Sequence, residues 1–171
     1  MHTRRAILPD AEQIHHLVES FSQADTLLPR PLAEICENIR DFHVVEDDGN
    51  IIGCGALHLY GVHLAEIRSI CVTPELQKRG AGTLLIEALL AEADHHHVSC
   101  VCLFTLIPSF FAHFEFRVVT REDIPDKLYK DCLLCPKLHA CDEIAMVRGE
   151  LPKFAILGKV PVNLPLVKLG A

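Results

Sequence analysis

The stretch EIRSICVTPELQKRGAG, residues 66–82, decides how the chain reads. EIRSICV carries the β-branched and apolar residues of a buried strand, and QKRGAG (77–82) places two glycines where a helix is about to open. Gly80 and Gly82 let the backbone approach a ligand closely. A helix starting there offers unpaired N–H groups and the positive end of its dipole. Such a corner suits a pyrophosphate; taken alone, it is equally a tight strand-to-helix turn.

Outward from this stretch, TLLIEALLAEADHHH places Leu84, Leu85, Ala88, Leu89 and Ala93 on one helical side. Upstream, HVVE, the turn DDGN and IIGCGALHLY spell an antiparallel hairpin closed around Asp48, Gly49 and Asn50, with AEIRSICV as a third long strand. Nearer the N-terminus, Arg4 to Leu8 reads as a short strand. A helix follows with Ile14, Leu17, Val18 and Phe21 on its apolar face, then a second with Pro31 in its first turn and Leu32, Ile35, Ile39 and Phe42 inward. Downstream come a strand in VSCVCLFTL, a short helix from Pro108 to Phe114, a strand in FRVV, a cysteine-bearing segment and a last strand in DEIAMVR. The expected organisation is one α/β (α+β) domain over residues 1–148, and a tail, 149–171, broken by Pro152, Pro161 and Pro165. That tail docks onto the body or forms the interface of a homodimer.

The 171 residues suffice for one domain with a sizeable core. Sixteen basic against twenty-three acidic residues give a net charge of −7, with no basic block to follow a phosphate backbone, so the expectation is no nucleic acid and a small-molecule partner. No apolar run reaches the length of a membrane span, and the N-terminus lacks the apolar stretch of a signal peptide. No membrane and a cytoplasmic location are expected, with the eight cysteines as reduced thiols.

The run VTPELQKRGAGTLLIEALL resembles the acetyl-CoA loop of the GNAT acetyltransferases, Q/R-x-x-G-x-G/A, with Gln77, Gly80 and Gly82 on the motif positions. TLLPR, GCGALHLY, AEIRSICVTPE, PSFFAHFEF and KLYKDCLLCPK followed by CDEIAMV are similar to the short bacterial ArgA-type amino-acid N-acetyltransferases, the N-acetylglutamate synthases of arginine biosynthesis. The resemblance implies the GNAT fold, a mixed, mostly antiparallel sheet flanked by helices and splayed near its centre, and acetyl-CoA as co-substrate. By the same resemblance Ile70, Cys71 and Val72 contact the pantetheine arm, Gln77, Lys78, Arg79, Gly80, Ala81, Gly82 and Thr83 hold the pyrophosphate, and Phe111 borders the arm. The family often has a tyrosine where this chain has Phe111, and a glycine where it has Glu115. No phenol is therefore expected to protonate the departing thiolate, which leaves tolerably well without one.

An ammonium has no lone pair, so acetyl transfer to an amine needs a proton acceptor. The resemblance points to Glu66 as general base; the alternative is a solvated or salt-bridged strand glutamate. Glu66 is six residues before Val72, an even separation that predicts both on one sheet face, about 20 Å apart. Arg68 shares that face and suits a substrate carboxylate in bidentate fashion, or else pairs with Glu66. Arg30 is the second candidate clamp for an amino-acid acceptor. Direct acetyl transfer to an α-amine, glutamate first, is the expected function. The alternatives are an acyl-CoA-binding regulatory module and an acetyltransferase for another amine.

Cys132, Cys135, His139 and Cys141 carry the residue types of a zinc site, yet all fall within ten residues. Thiols buried against the sheet are the commoner outcome, and no metal is expected. His58 and His63 are candidates for a proton relay near Glu66, or simply polar strand-edge residues.

Overall fold

The computed structural model describes residues 1–130, 132, 135, 137 and 139–153. Asp48 and Gly49 take φ of +47° and +78°, the left-handed pair that a two-residue hairpin turn needs. They join β2 (Phe42–Asp47) to β3 (Asn50–Gly61), with Asp47 opposite Asn50. β1 (His2–Arg5) lies antiparallel to β2, and β4 (Leu64–Val72) antiparallel to β3. β5 (Cys100–Thr105) runs parallel to β4, β7 (Ile144–Gly149) antiparallel to β5, and β6 (Arg117–Val118) antiparallel to β7. The order β1-β2-β3-β4-β5-β7-β6 is the mixed, mostly antiparallel sheet that the resemblance implies.

Helix α3 (Ala81–His95) covers one face, burying Ile86, Leu89 and Ala93 against Leu57, Ala65, Ile67 and Leu103. On the other face α1 (Ala11–Gln23) and α2 (Leu32–Glu37) bury Ile14, Val18 and Ile35 against Val44, Cys54 and Ala56. Each large apolar side chain so buried contributes about 1.5–3 kcal/mol. α4 (Pro108–Ala112) and α5 (Pro125–Lys130) lie beyond β5 and β6 in the chain.

Several elements differ from the sequence expectation. β1 stops at Arg5 and does not reach Leu8, because Leu8–Asp10 forms a single 3-10 turn in which the Asp10 carboxylate accepts the Ile7 N–H at 2.8 Å. α2 ends at Glu37, where the Asn38 side-chain amide donates to the Glu34 carbonyl at 2.8 Å, and Phe42 opens β2, not the helix face. α5 arises in the segment read only as cysteine-bearing. At the C-terminal side, Gly149 has φ +92°, and a Cβ there would lie 2.3 Å from the Ser99 carbonyl, so β7 ends close against the chain leading into β5. Residues 154–171 of the proposed tail lie outside the described residues.

β4 also carries a bulge. Cys71 faces Cys54 and Arg68 faces Ala56, so three steps on β4 oppose two on β3, and Ser69 sits at φ +52°. The extra residue reverses the alternation of faces. Val72 therefore packs with Leu85 on the α3 side while Cys71 packs with the α1 cluster. The prediction that Glu66 and Val72 share a face fails for this reason; Glu66 and Arg68, both before the bulge, do share one.

Candidate active site

β4 and β5 are paired only at Ala65 with Val101 and Glu66 with Cys102, whereas β5 continues on its other side with β7 through Thr105. Beyond Glu66 the two strands part, and a cavity of about 300 Å³ opens between them, lined by Ile67 to Ile70 of β4 and Leu103 to Thr105 of β5. Glu66 stands at the vertex of the opening.

The Glu66 side chain is buried, and both carboxylate oxygens are engaged. Lys127 Nζ lies 2.5 Å from Oε1, and the Tyr60 hydroxyl donates to Oε2 at 2.9 Å. Lys127 comes from α5, whose position is fixed by its neighbour Asp126: the Asp126 carboxylate meets His63 Nε2 at 2.8 Å, with both groups buried. Two of the carboxylate's acceptor positions are thus taken by a buried ammonium and a hydroxyl, which fixes its orientation at the vertex. The neighbouring Cys102 thiol is pushed well up by burial and by the Glu66 charge, so it is not a nucleophile.

Arg30 and Arg68 line the same cavity. Arg30 is mostly buried; one terminal nitrogen meets Glu34 Oε1 at 2.5 Å, while its Nε is buried with no hydrogen-bond partner among the described residues. A buried guanidinium N–H without an acceptor costs free energy, and a ligand carboxylate would supply the acceptor. A second carboxylate, Glu143, lies just before β7 and faces the cavity; burial raises its pKa.

The cofactor side is built from the loop between β4 and α3. Gln77 lines the cavity and donates to the Val72 carbonyl at 3.1 Å, tying the loop to the strand end. Lys78 and Gly80 have φ of +61° and +94°, two left-handed turns that lead the loop into α3 at Ala81. Around Gly80 a Cβ would meet nothing within 4 Å, and Gly82 lies 3.2 Å, measured from an ideal Cβ, from the Phe110 ring. Arg79 and Thr83 flank this turn. An open strand pair leading to glycine-lined amides at a 15-residue helix N-terminus fits acetyl-CoA.

The structure therefore brings Arg30, Glu66, Arg68, Ile70, Gln77 and Phe111 to one cavity. Cys71 and Val72 point away from it, into the two layers of core, and can contribute there only through their backbone. Phe111 is buried core, edge-on to Phe110 and Phe116, and offers an apolar wall only. His58 meets Asp41 at 3.1 Å and His63 meets Asp126, so neither relay candidate lines the cavity. Cys132, Cys135 and Cys141 edge a small cleft beside Glu143, while His139 is exposed. Among the described residues no group of three or more His, Cys, Asp or Glu side chains is arranged to hold a metal ion. No helix among them is long and apolar enough to cross a membrane.

Lys127, Tyr60 and Glu143 were not singled out by the sequence. The signal for Lys127 was Pro125 followed by Asp126, a helix start that the cysteines obscured.

Comparison with known proteins agrees with this architecture. Residues 10–113 match the model of the Acetyltransferase (GNAT) family. The chain is 41% identical over 145 residues to an uncharacterized N-acetyltransferase of Chlorobaculum tepidum, covering 85% of this chain and 94% of that one. It is 29% identical over 131 residues to an amino-acid acetyltransferase of Mycobacterium tuberculosis, 75% of each chain. A crystal structure of a Mycobacterium tuberculosis protein in complex with CoA and NLQ superposes with a TM-score of 0.75 at 27% identity, covering 88% of this chain and 100% of that one.

Proposed function

The chain belongs to the acetyltransferase (GNAT) family, and we propose that the amine it acetylates is the α-amino group of an acidic amino acid, L-glutamate first. Its activity is acetyl-CoA-dependent N-acetyl transfer. The observation that carries the choice of acceptor is the meeting of Arg30, Arg68 and Lys127 in one cavity at the opening of the sheet, with Arg30 Nε buried and lacking an acceptor among the described residues. Glu34 meets one terminal nitrogen of Arg30 and leaves the Nε–H to a further acceptor, which a ligand carboxylate would supply, and glutamate brings two.

In this reading acetyl-CoA supplies the activated acetyl group. Residues 77–83 hold its pyrophosphate, and the backbone of Ile70 to Val72 lines its arm. Arg30 and Arg68 orient the acceptor by its carboxylates. Lys127, locked by Glu66, adds positive charge at the vertex. Glu66 in turn depends on Tyr60 to stay in place. The amino-acid acetyltransferase relative supports the acceptor class. A place in arginine biosynthesis in the cytoplasm belongs to the same proposal.

The test is CoA release by purified protein with acetyl-CoA and each of twenty amino acids and several polyamines. Turnover selective for glutamate, with KM raised about 10-fold or more in Arg30→Ala and in Arg68→Ala, supports the reading. Turnover confined to cationic amines, with both arginine variants unaffected, sinks it.

A further inference from the structure

Resting on the amino-acid reading above, we infer that Glu143 is the group that binds the acceptor's ammonium and takes its proton. Three cations, Arg30, Arg68 and Lys127, face two carboxylates, Glu66 and Glu143. Glu66 and Lys127 engage one another at 2.5 Å, and Tyr60 occupies the remaining oxygen of Glu66. Glu143 differs. Its one hydrogen-bond partner among the described residues is the Cys141 thiol, at 3.9 Å, a weak donor, although Lys127 lines the same clefts.

An amino acid enters as a zwitterion, and a site built of guanidinium groups alone would repel its ammonium. A carboxylate on the cavity wall resolves this. Glu143 sits on the β7 side of the opening, across from the β4 wall that carries Arg68, so the cation and anion partners of a zwitterion lie on different walls.

The chemistry follows from the same placement. The ammonium N–H bond breaks as an O–H bond forms on Glu143, leaving the electron pair on nitrogen. Nitrogen then forms its bond to the acetyl carbon as the carbon–sulfur bond breaks with its electrons going to sulfur. The second surplus proton on nitrogen leaves with the thiol. A base for this step works best with a pKa above that of an ordinary carboxylate. Burial and the charges of Glu66 and Asp142 raise that of Glu143, against the opposing pull of Lys127 and Lys137. The other charged groups lining its two clefts are Arg30, Arg68 and Arg121.

The test compares wild type with Glu143→Gln, using whichever amine the acceptor panel identifies, from about pH 5 to about pH 9. The expected result is a loss of roughly 100-fold in kcat/KM near neutrality. The acid limb of the profile is replaced by a straight rise toward the amine's own pKa. The Ki of glutarate, which has carboxylates and no ammonium, stays within about 2-fold of wild type. A thermal readout is independent of turnover. A carboxyl with a raised folded pKa adds stability that is present at low pH and lost as it ionises, so the Tm of Glu143→Gln relative to wild type rises as pH increases above the unfolded carboxyl value of about 4. An unchanged pH profile in Glu143→Gln overturns the inference while leaving a glutamate-selective wild type untouched. Selectivity for a non-acidic amine, with the acid limb still lost in the variant, overturns the acceptor reading and leaves Glu143 in its role.

Discussion

Lys127 Nζ and Glu66 Oε1 form a buried ion pair at 2.5 Å, with side-chain exposures of 7% and 3%, joining a helix absent from the sequence reading to the vertex of the sheet opening. Lys127→Met leaves a buried carboxylate with the Tyr60 hydroxyl as its one remaining hydrogen-bond partner among the described residues. The expected cost is about 3–5 kcal/mol in urea unfolding. Adding Glu66→Gln to Lys127→Met removes the uncompensated charge and recovers most of that loss. A single-variant cost below about 1 kcal/mol would mean that the pair is solvated in solution.

The Asp10 carboxylate is buried and receives two hydrogen bonds from Arg4, at 2.7 and 3.0 Å, which hold its pKa below the usual carboxylate range. A depressed folded pKa gives stability that is present above the unfolded value near 4 and is lost as pH falls through the folded value. Asp10→Asn is expected to lose about 1.5–3 kcal/mol at neutral pH and to show a flatter stability profile below about pH 4. Chemical denaturation at several pH values checks both.

Four of the eight cysteines, Cys54, Cys71, Cys100 and Cys102, are buried, and Cys36, Cys132, Cys135 and Cys141 are partly exposed. Burial pushes the Cys100 thiol up to about 11 and raises that of Cys102, while the hydrogen bond with the Cys71 thiol, together with burial, raises that of Cys54. At mildly alkaline pH these stay protonated and unreactive. A thiol reagent should titrate only members of the second group in the native protein, and all eight after denaturation. Rapid native labelling of Cys54 or Cys102 would contradict the packing.

Gly80 has φ +94° with open space where a Cβ would stand, so Gly80→Ala meets strain and no clash. About 1–2 kcal/mol of stability is expected to go, since an L-residue resists that conformation. The added methyl also projects from the surface expected to approach the pyrophosphate, so the Kd for CoA should rise more than the loss of stability would suggest. Calorimetric titration separates the two. Gly82→Ala instead pushes on the Phe110 ring at 3.2 Å and should be relieved by truncating Phe110.

The hairpin at Asp48 and Gly49, the long strand 64–72 and helix α3 were legible because turn chemistry and periodicity are local signals. The QKRGAG loop was legible as a glycine-spaced corner, and Arg30, Glu66 and Arg68 as charges on half-buried elements. The bulge at Ser69 was not, because serine in a strand carries no mark of a left-handed φ, and that one residue reversed the faces of everything after it. Nor were the partners of Glu66. Tyr60 and Lys127 stand 6 and 61 positions away, brought together by the pairing of β3 with β4 and by the return of α5 across the sheet. Glu143 falls within the stretch DEIAMVR, which predicts a strand, and only the topology, which lays β7 beside β5, makes it a wall of the cavity.

The interval where β4 and β5 part has a bearing on how long the protein survives in a cell. A sheet interrupted at its centre regains continuity only when something occupies the gap, and a ligand at 100 times its Kd adds about 2.7 kcal/mol by mass action. That is a large share of the stability of a domain this size. When its coenzyme pool runs low, the empty chain opens more often, and the proteases that sample unfolded molecules meet more of it. Abundance of the protein would then follow the supply of the compound it consumes.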